Sequence, residues 1–194
     1  MNVDEINQLE RAARLRREAD FVLKEIRLPG ILEQYGRVYP TGSYFLDVMI
    51  YPDIDFYLSW VSIEQLFQIG GEIAASNLVS EVIFQKSTLA NLPGGLYLKT
   101  RVVYGDWGRP WKIDIWSLDE PLIEQKQMEM QRFKDKMTEA LRARILAYKC
   151  AILTEQARTP MYSGYFIYKA FLDEGLADFT AVTRYLRSHG VKFR

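Results

Sequence analysis

The chain has 194 residues, and its 25 basic and 25 acidic side chains give a formal net charge of zero at neutral pH. This length predicts one domain with a sizeable core, with room for a helical appendage, and the neutral balance argues against long nucleic acid as the partner. A single cysteine, Cys150, excludes an internal disulfide framework, and no apolar run is long enough to span a membrane, so we expect a cytoplasmic protein without membrane association.

The first predicted element is an amphipathic helix over residues 4–26, where apolar residues recur at three- and four-residue steps. Its basic residues are interleaved with glutamates, which is typical of a solvated face. Pro29 and Gly30 are expected to break this helix. A short helical turn over residues 31–35 and a first strand over residues 37–40 are expected to follow.

Gly42 and Ser43 come next, where the first strand is expected to open into a helix. The first N–H groups of a helix are unpaired and lie at the positive end of its dipole, so they can bind phosphate. Glycine lets the backbone approach a ligand closely, and the Ser43 hydroxyl would add a donor. The structural alternative is an ordinary helix N-cap at Ser43.

Asp53 and Asp55 flank Ile54 in an apolar run that reads as a buried strand. Alternate strand residues share a face, so both carboxylates point the same way, about 7 Å apart, while Ile54 points into a core. Asp47 is a rival carboxylate that also has apolar neighbours. We expect Asp47 to be helical and to lie on the wrong side of the turn.

Asp114 is the third candidate acid, in an alternating segment predicted as a strand over residues 111–118. A strand over residues 96–104 precedes it, and the turn residues between the two predict a hairpin. If the Asp114 strand neighbours the Asp53 strand, three carboxylates converge, and Mg²⁺ is the cation that usually holds such a group. Lys112 shares a face with Asp114 and could bind a phosphate oxygen or act only as a charge neighbour of the acids.

The composition changes at Pro121, after which a single long helix is expected over residues 122–153, followed by helices over 165–172 and 179–189. Lys149 could reach from the long helix back over the sheet toward a triphosphate. Tyr168 and Lys169 are alternatives that the sequence does not separate from it. With one histidine and one cysteine in the chain, a zinc site is nearly excluded.

Gly42-Ser43, Asp53-Ile54-Asp55 and Asp114 stand in an order that resembles the nucleotidyltransferase superfamily, which includes DNA polymerase beta and the aminoglycoside nucleotidyltransferases. The resemblance covers about residues 35–118. It implies an α+β fold, with a mixed, largely antiparallel sheet flanked by helices and a C-terminal helical region. Residues 44–52 depart from the family pattern, because they are bulkier and more apolar than usual there.

This resemblance implies two units: a catalytic domain with its N-terminal helix at residues 1–120, and a helical region at residues 121–194 that packs on or caps the site. The implied activity is the Mg²⁺-dependent transfer of a nucleoside monophosphate from a nucleoside triphosphate to a hydroxyl of a small molecule or protein, releasing pyrophosphate. The implied ligands of two Mg²⁺ ions, and the catalytic residues, are Asp53, Asp55 and Asp114. The expected nucleotide-binding residues are Gly42, Ser43, Lys112 and Lys149.

Two other readings of the sequence stay open. One is a non-catalytic binding module that keeps the same fold, for example as one half of a toxin–antitoxin pair. The other is a metal-dependent nuclease, which also uses clustered carboxylates. The acceptor of a transferase is not specified by the sequence, although an aminoglycoside-like polycation would need an acidic pocket. The acids that could contribute to such a pocket are Asp106, Asp119, Glu120 and Glu124.

Overall fold

The computed structural model of the protein describes residues 3–193. Within this range the chain forms helices and strands that are numbered here in two series. The helices are α1 (Val3–Glu25), α2 (Leu28–Leu32), α3 (Gly42–Phe45), α4 (Ile63–Ala74), α5 (Glu120–Lys136), α6 (Glu139–Ala151), α7 (Ser163–Leu172) and α8 (Phe179–Ser188). The strands are β1 (Val38–Thr41), β2 (Asp53–Ser59), β3 (Val79–Lys86), β4 (Leu96–Val102) and β5 (Trp111–Leu118).

The five strands form one mixed sheet with the order β1-β2-β5-β4-β3. β2 and β5 are parallel, whereas the other neighbouring pairs are antiparallel. The predicted hairpin of β4 and β5 is present, and the two acid-bearing strands are neighbours, which was the condition for the three acids to converge. The α+β class with a largely antiparallel mixed sheet is confirmed.

One face of the sheet is apolar and packs against α1, α2 and α4. Ile54 and Ile113 project from this face and are fully buried. A second core lies among the C-terminal helices, but it also includes Leu46, Val48 and Ile50 from the segment before β2. The C-terminal helices therefore share a core with residues 46–50, and the predicted division at residue 120 stays a prediction.

The long helix predicted over residues 122–153 is wrong, because the chain forms two helices there. Met137 leaves the helical conformation with ψ near 108°, and Thr138 starts α6 as its N-cap. The Thr138 hydroxyl accepts a hydrogen bond from the Leu141 N–H at 3.2 Å. A threonine side chain that satisfies a free N–H in this way favours a new helix start.

Two local predictions near the N-terminal half also need correction. Pro29 and Gly30 follow the end of α1 as expected, but they lie inside α2, because proline is tolerated in the first turn of a helix. Asp47 is not helical, since its φ of 56° places it in the left-handed region. Among the described residues, none of the helices is long and apolar enough to cross a bilayer.

Candidate active site

The pairing of β2 with β5 brings the predicted acids together. Asp55 lies beside Asp114, and Asp53 lies beside Lys112. Since alternate residues of a strand share a face, these four side chains project from the face opposite Ile54. The three carboxylates therefore lie together on the polar face of the sheet, and we call them the acid patch.

Lys112 lies between two members of the acid patch. Its Nζ is 3.0 Å from Asp53 Oδ1 and 2.8 Å from Asp114 Oδ2, and its side chain is 22% exposed. Burial lowers the pKa of Lys112, but the charges of the aspartates outweigh that effect and leave the pKa raised. Lys112 is thus a charge neighbour of the acids in this structure, and its contact with a phosphate stays a prediction.

Burial also makes the charged forms of Asp53 and Asp55 costly. It raises the pKa of Asp53, against the opposing charge of Lys112. It raises the pKa of Asp55 well above its usual value, and the charges of Asp53 and Asp114 raise it further. Buried carboxylates that repel one another in this way favour binding of a cation.

Gly42 lies against the acid patch. Its φ is +63°, and a β-carbon built on it would stand 2.5 Å from Asp55 Oδ2. Glycine is therefore required here by the backbone conformation and by the approach to Asp55. The N-cap of α3 is Thr41, so the alternative reading of Ser43 as a helix N-cap is wrong.

Lys149 reaches from α6 to Ser43 and is only 1% exposed, and its predicted contact with a triphosphate stays a prediction. Its Nζ donates to Ser43 Oγ at 3.0 Å and to the Val48 carbonyl at 2.5 Å. Tyr168 OH lies 3.0 Å from Ser43 Oγ and completes the network. Burial lowers the pKa of Lys149 to about 8. Lys149 thus fixes the position of the Ser43 hydroxyl through a buried hydrogen bond.

A cleft of about 640 Å³ lies over the polar face of the sheet. The acid patch, Gly42 and Ser43 line it, together with the loop after β3 and the segment that leads into α7. Lys149 and Lys169 do not line it. The cleft residues that carry charge or an aromatic ring and that the sequence reading missed are Tyr51, Tyr57, Lys86, Tyr97, Arg109, Trp116, Arg158, Tyr162 and Tyr165.

Tyr97 is the missed residue with the most direct contact to the acid patch. Its hydroxyl donates to Asp114 Oδ1 at 2.7 Å, and its ring stacks on Trp116 with centroids 4.4 Å apart. Burial raises the pKa of Tyr97, and the charge of Asp114 raises it further, so the hydroxyl stays a donor. The alternation of β4 could have placed Tyr97 on the same face as Lys99, but only the pairing with β5 brings it to Asp114.

The donor chemistry of the acid patch fits Mg²⁺, which prefers carboxylate and other oxygen ligands. Asp53 Oδ1 is buried, and its one polar contact among the described residues is the Lys112 ammonium at 3.0 Å, without good hydrogen-bond geometry. Yet no group of three or more His, Cys, Asp or Glu side chains within residues 3–193 has the arrangement of a formed metal site. The contacts of Lys112 and Tyr97 use the oxygens of Asp53 and Asp114 that a cation would need, so metal binding stays a prediction.

The other acids considered from the sequence do not line the cleft. Asp47 pairs with Arg142 at 2.9 Å. Asp106 is 77% exposed and pairs with a residue of α1. Glu120 accepts a hydrogen bond from the Ser59 hydroxyl. The expected acidic pocket for a polycationic acceptor therefore has no support in the cleft.

No protein-family model and no curated protein sequence matches the chain significantly. Several solved structures do match the chain. A crystal structure of the Cid1 poly(U) polymerase with MgGTP bound is 16% identical, with a TM-score of 0.53 over 78% of this chain and 48% of that chain. Another Cid1 structure, described as having RNA terminal uridylyl transferase activity, is 15% identical, with a TM-score of 0.52 over 79% of this chain and 45% of that one.

This chain thus spans about half the length of these two solved structures. At such low identity the likeness concerns the fold. The sheet order and the parallel pairing of the two acid-bearing strands agree with the fold that the motif order implied. The chain adopts the nucleotidyltransferase fold of the DNA polymerase beta-like type.

Proposed function

We propose that the protein is a Mg²⁺-dependent nucleotidyltransferase that moves a nucleoside monophosphate from a nucleoside triphosphate to a hydroxyl group and releases pyrophosphate. The observation that carries this proposal is the acid patch itself, three carboxylates on one face of β2 and β5, beside the Gly42-Ser43 turn. A cleft above them has the volume of a small-ligand site.

In the proposed reaction the acceptor oxygen attacks the α-phosphorus, the bond from that phosphorus to its β-bridging oxygen breaks, and pyrophosphate leaves. Asp53 and Asp55 would hold Mg²⁺, which would supply positive charge to neutralise the phosphates. Asp114 would orient the acceptor hydroxyl and take its proton. Tyr97 would fix the Asp114 carboxylate through its hydrogen bond.

The phosphates that become pyrophosphate would bind at Gly42 and Ser43. Lys149 holds the Ser43 hydroxyl in place and adds positive charge behind it. Lys112 now neutralises Asp53 and Asp114. With Mg²⁺ held by the aspartates, the Lys112 ammonium group would be available to the phosphates. This role follows from its place between Asp53 and Asp114.

The acceptor is proposed to be a small molecule or a protein hydroxyl. An RNA end is the second candidate, because the Cid1 structure that resembles this chain is described as an RNA terminal uridylyl transferase. Incubation with radiolabelled nucleoside triphosphates distinguishes the classes. Label on short RNA would support the second candidate, whereas label on a small molecule or on protein would support the first.

The non-catalytic module and the nuclease remain as competing functions. A scaffold would keep its partner affinity after loss of Asp53 and Asp55, whereas the proposed enzyme would lose metal-dependent nucleotide binding. A nuclease has no need of the turn that places Gly42 against Asp55.

The test is calorimetric titration of the purified protein with a non-hydrolysable ATP analogue and Mg²⁺. We expect binding that disappears in the double variant Asp53→Ala, Asp55→Ala. The control is Asp106→Ala with Asp119→Ala, which removes the same charge from residues that do not line the cleft. Absence of binding for every nucleoside triphosphate tried with the folded wild type would refute the transferase.

A further inference from the structure

The cleft carries more positive charge than the proposed catalytic residues require. Its charged lining consists of three acids, which form the acid patch, and four basic residues, Lys86, Arg109, Lys112 and Arg158. Lys112 is paired with Asp53 and Asp114. Neither Arg109 nor Arg158 forms an ion pair with a described residue.

Arg109 is delivered to the cleft by the loop between β4 and β5, which is fixed to α1. Trp107 in this loop donates from its indole N–H to Glu18 at 2.6 Å, and the Arg14 guanidinium lies 4.5 Å from the Trp107 ring. The Arg109 guanidinium lies over the Tyr51 ring at 5.6 Å. Its hydrogen bonds within the described chain are two long ones of 3.4 Å, to backbone carbonyls of the turn after α6.

Arg158 comes from that same turn after α6. The turn is closed by Thr154, whose N–H and hydroxyl both donate to the Arg158 carbonyl at 2.9 Å. The next residue, Thr159, is buried, and its hydroxyl lies 3.1 Å from the Tyr51 hydroxyl. The backbone of Arg158 is therefore fixed, whereas its guanidinium has no hydrogen-bond partner among the described residues.

Arg109 and Arg158 line the same cleft, and the Arg109 guanidinium donates to the carbonyl of Ala157, the residue just before Arg158. Burial lowers the pKa of Arg109, and the charges of Arg101 and Arg158 lower it further, while Asp53 raises it. Two cations that line one cavity without an ion-pair partner gain free energy when an anion binds near both of them. The planar fork of arginine matches two oxygens of a phosphate group, so phosphate is the anion that suits this pair.

We propose that Arg109 and Arg158 form an oxyanion site for a phosphate group in the cleft, separate from the Gly42-Ser43 turn. Gly42 lies against Asp55, whereas the Arg109 guanidinium lies over the ring of Tyr51, two residues before Asp53. The two anion-binding features thus flank different members of the acid patch. The phosphate belongs either to the nucleoside triphosphate or to the acceptor, and that choice alone rests on the proposed function.

The probe is inorganic pyrophosphate in the presence of Mg²⁺, titrated calorimetrically into the wild type and the variants Arg109→Gln and Arg158→Gln. Each variant should bind pyrophosphate about tenfold more weakly or worse, as expected for loss of a charge-assisted hydrogen bond. Arg158→Gln removes no side-chain hydrogen bond or ion pair within the described chain, so it keeps the test valid if Arg109→Gln does not fold. Arg184→Gln on α8, where the side chain is exposed, is the control with the same charge change.

A second arm identifies the source of the phosphate. Inorganic phosphate is titrated into protein already saturated with the ATP analogue and Mg²⁺. Binding that persists, and that Arg158→Gln abolishes, assigns the site to a phosphate on the acceptor. Binding that is lost, together with weaker analogue binding by Arg158→Gln, assigns it to the nucleotide.

The inference is overturned if both variants bind pyrophosphate and the analogue as tightly as the wild type, or if Arg184→Gln weakens binding equally. Its failure is distinct from failure of the proposed function. If only this inference fails, the analogue still binds and its binding still depends on Asp53 and Asp55. If the proposed function fails, the wild type binds no nucleotide.

Discussion

Gly42 and Asp55 are in such close contact that position 42 has no room for a side chain. A β-carbon there would lie 2.5 Å from Asp55 Oδ2 and 3.3 Å from its carboxyl carbon. The positive φ of 63° at Gly42 would also strain any other residue. The turn before β2 and the acid patch therefore cannot vary independently.

We predict that Gly42→Ala lowers stability and removes metal-dependent nucleotide binding together. The left-handed conformation alone costs an alanine about 1–2 kcal/mol, and the β-carbon would push the Asp55 carboxylate out of place. Chemical denaturation and calorimetric titration with the ATP analogue measure the two effects.

Gly71→Ala on α4 is the matched control, because a β-carbon there meets nothing within 4 Å. That substitution should raise stability by up to about 1 kcal/mol, since alanine is the better helix former. Normal nucleotide binding by Gly42→Ala would show that the contact with Asp55 has no part in the site.

Lys112→Met should leave the acid patch without its internal cation. Loss of one partner from a buried ion pair costs about 3–5 kcal/mol, and the partial exposure of Lys112 should reduce the loss to about 2 kcal/mol. Mg²⁺ should then stabilise the variant more than it stabilises the wild type, because it can take the place of the ammonium group. Thermal unfolding with and without Mg²⁺ measures this difference.

Lys136→Met at the end of α5 provides the comparison. Lys136 pairs with Asp173 at 2.7 Å, and neither residue lines the cleft, so its loss should cost less than about 1 kcal/mol and should not alter the response to Mg²⁺. An equal response to Mg²⁺ in wild type and Lys112→Met would contradict the assignment of a cation to this position.

Lys149 should make stability depend on pH in the alkaline range. Its pKa is lowered to about 8 in the folded protein, whereas an unfolded lysine titrates near 10.4. Between these values the unfolded chain binds more protons, so the free energy of unfolding should rise with pH, by up to about 3 kcal/mol.

The measurement is denaturant unfolding of the wild type and Lys149→Met from about pH 8 to pH 10. The wild type should gain stability relative to the variant as pH increases, because the variant cannot lose this proton. Parallel curves for the two proteins would show that Lys149 is not held in the buried contact with Ser43 and Val48 that the structure gives it.

The strand pattern made the acid face predictable from the sequence. The bounds predicted for β5 match Trp111–Leu118, and alternation placed Asp53 and Asp55 on the face opposite Ile54. Convergence of the three acids depended on β2 and β5 being neighbours, and the register shows that they are. These features depend on local periodicity and on a known order of motifs, and both can be read from one chain.

The contacts that shape the cleft could not be read in this way. Tyr97 meets Asp114 only through the pairing of β4 with β5. Arg109 and Arg158 come from loops 49 positions apart in the sequence, and nothing local indicates that they share a cavity. The break between α5 and α6 was missed because the apolar pattern continues through Thr138, whose capping role only the backbone reveals.

The most direct test of the central claim is a crystal structure of the protein with Mn²⁺, which can replace Mg²⁺, and a non-hydrolysable nucleoside triphosphate. Anomalous scattering locates the metal. The account predicts Mn²⁺ at the acid patch, within about 2.0–2.3 Å of oxygens of Asp53 and Asp55, with the terminal phosphates beside Gly42 and Ser43. Metal or nucleotide bound elsewhere, with Lys112 still between Asp53 and Asp114, would contradict it.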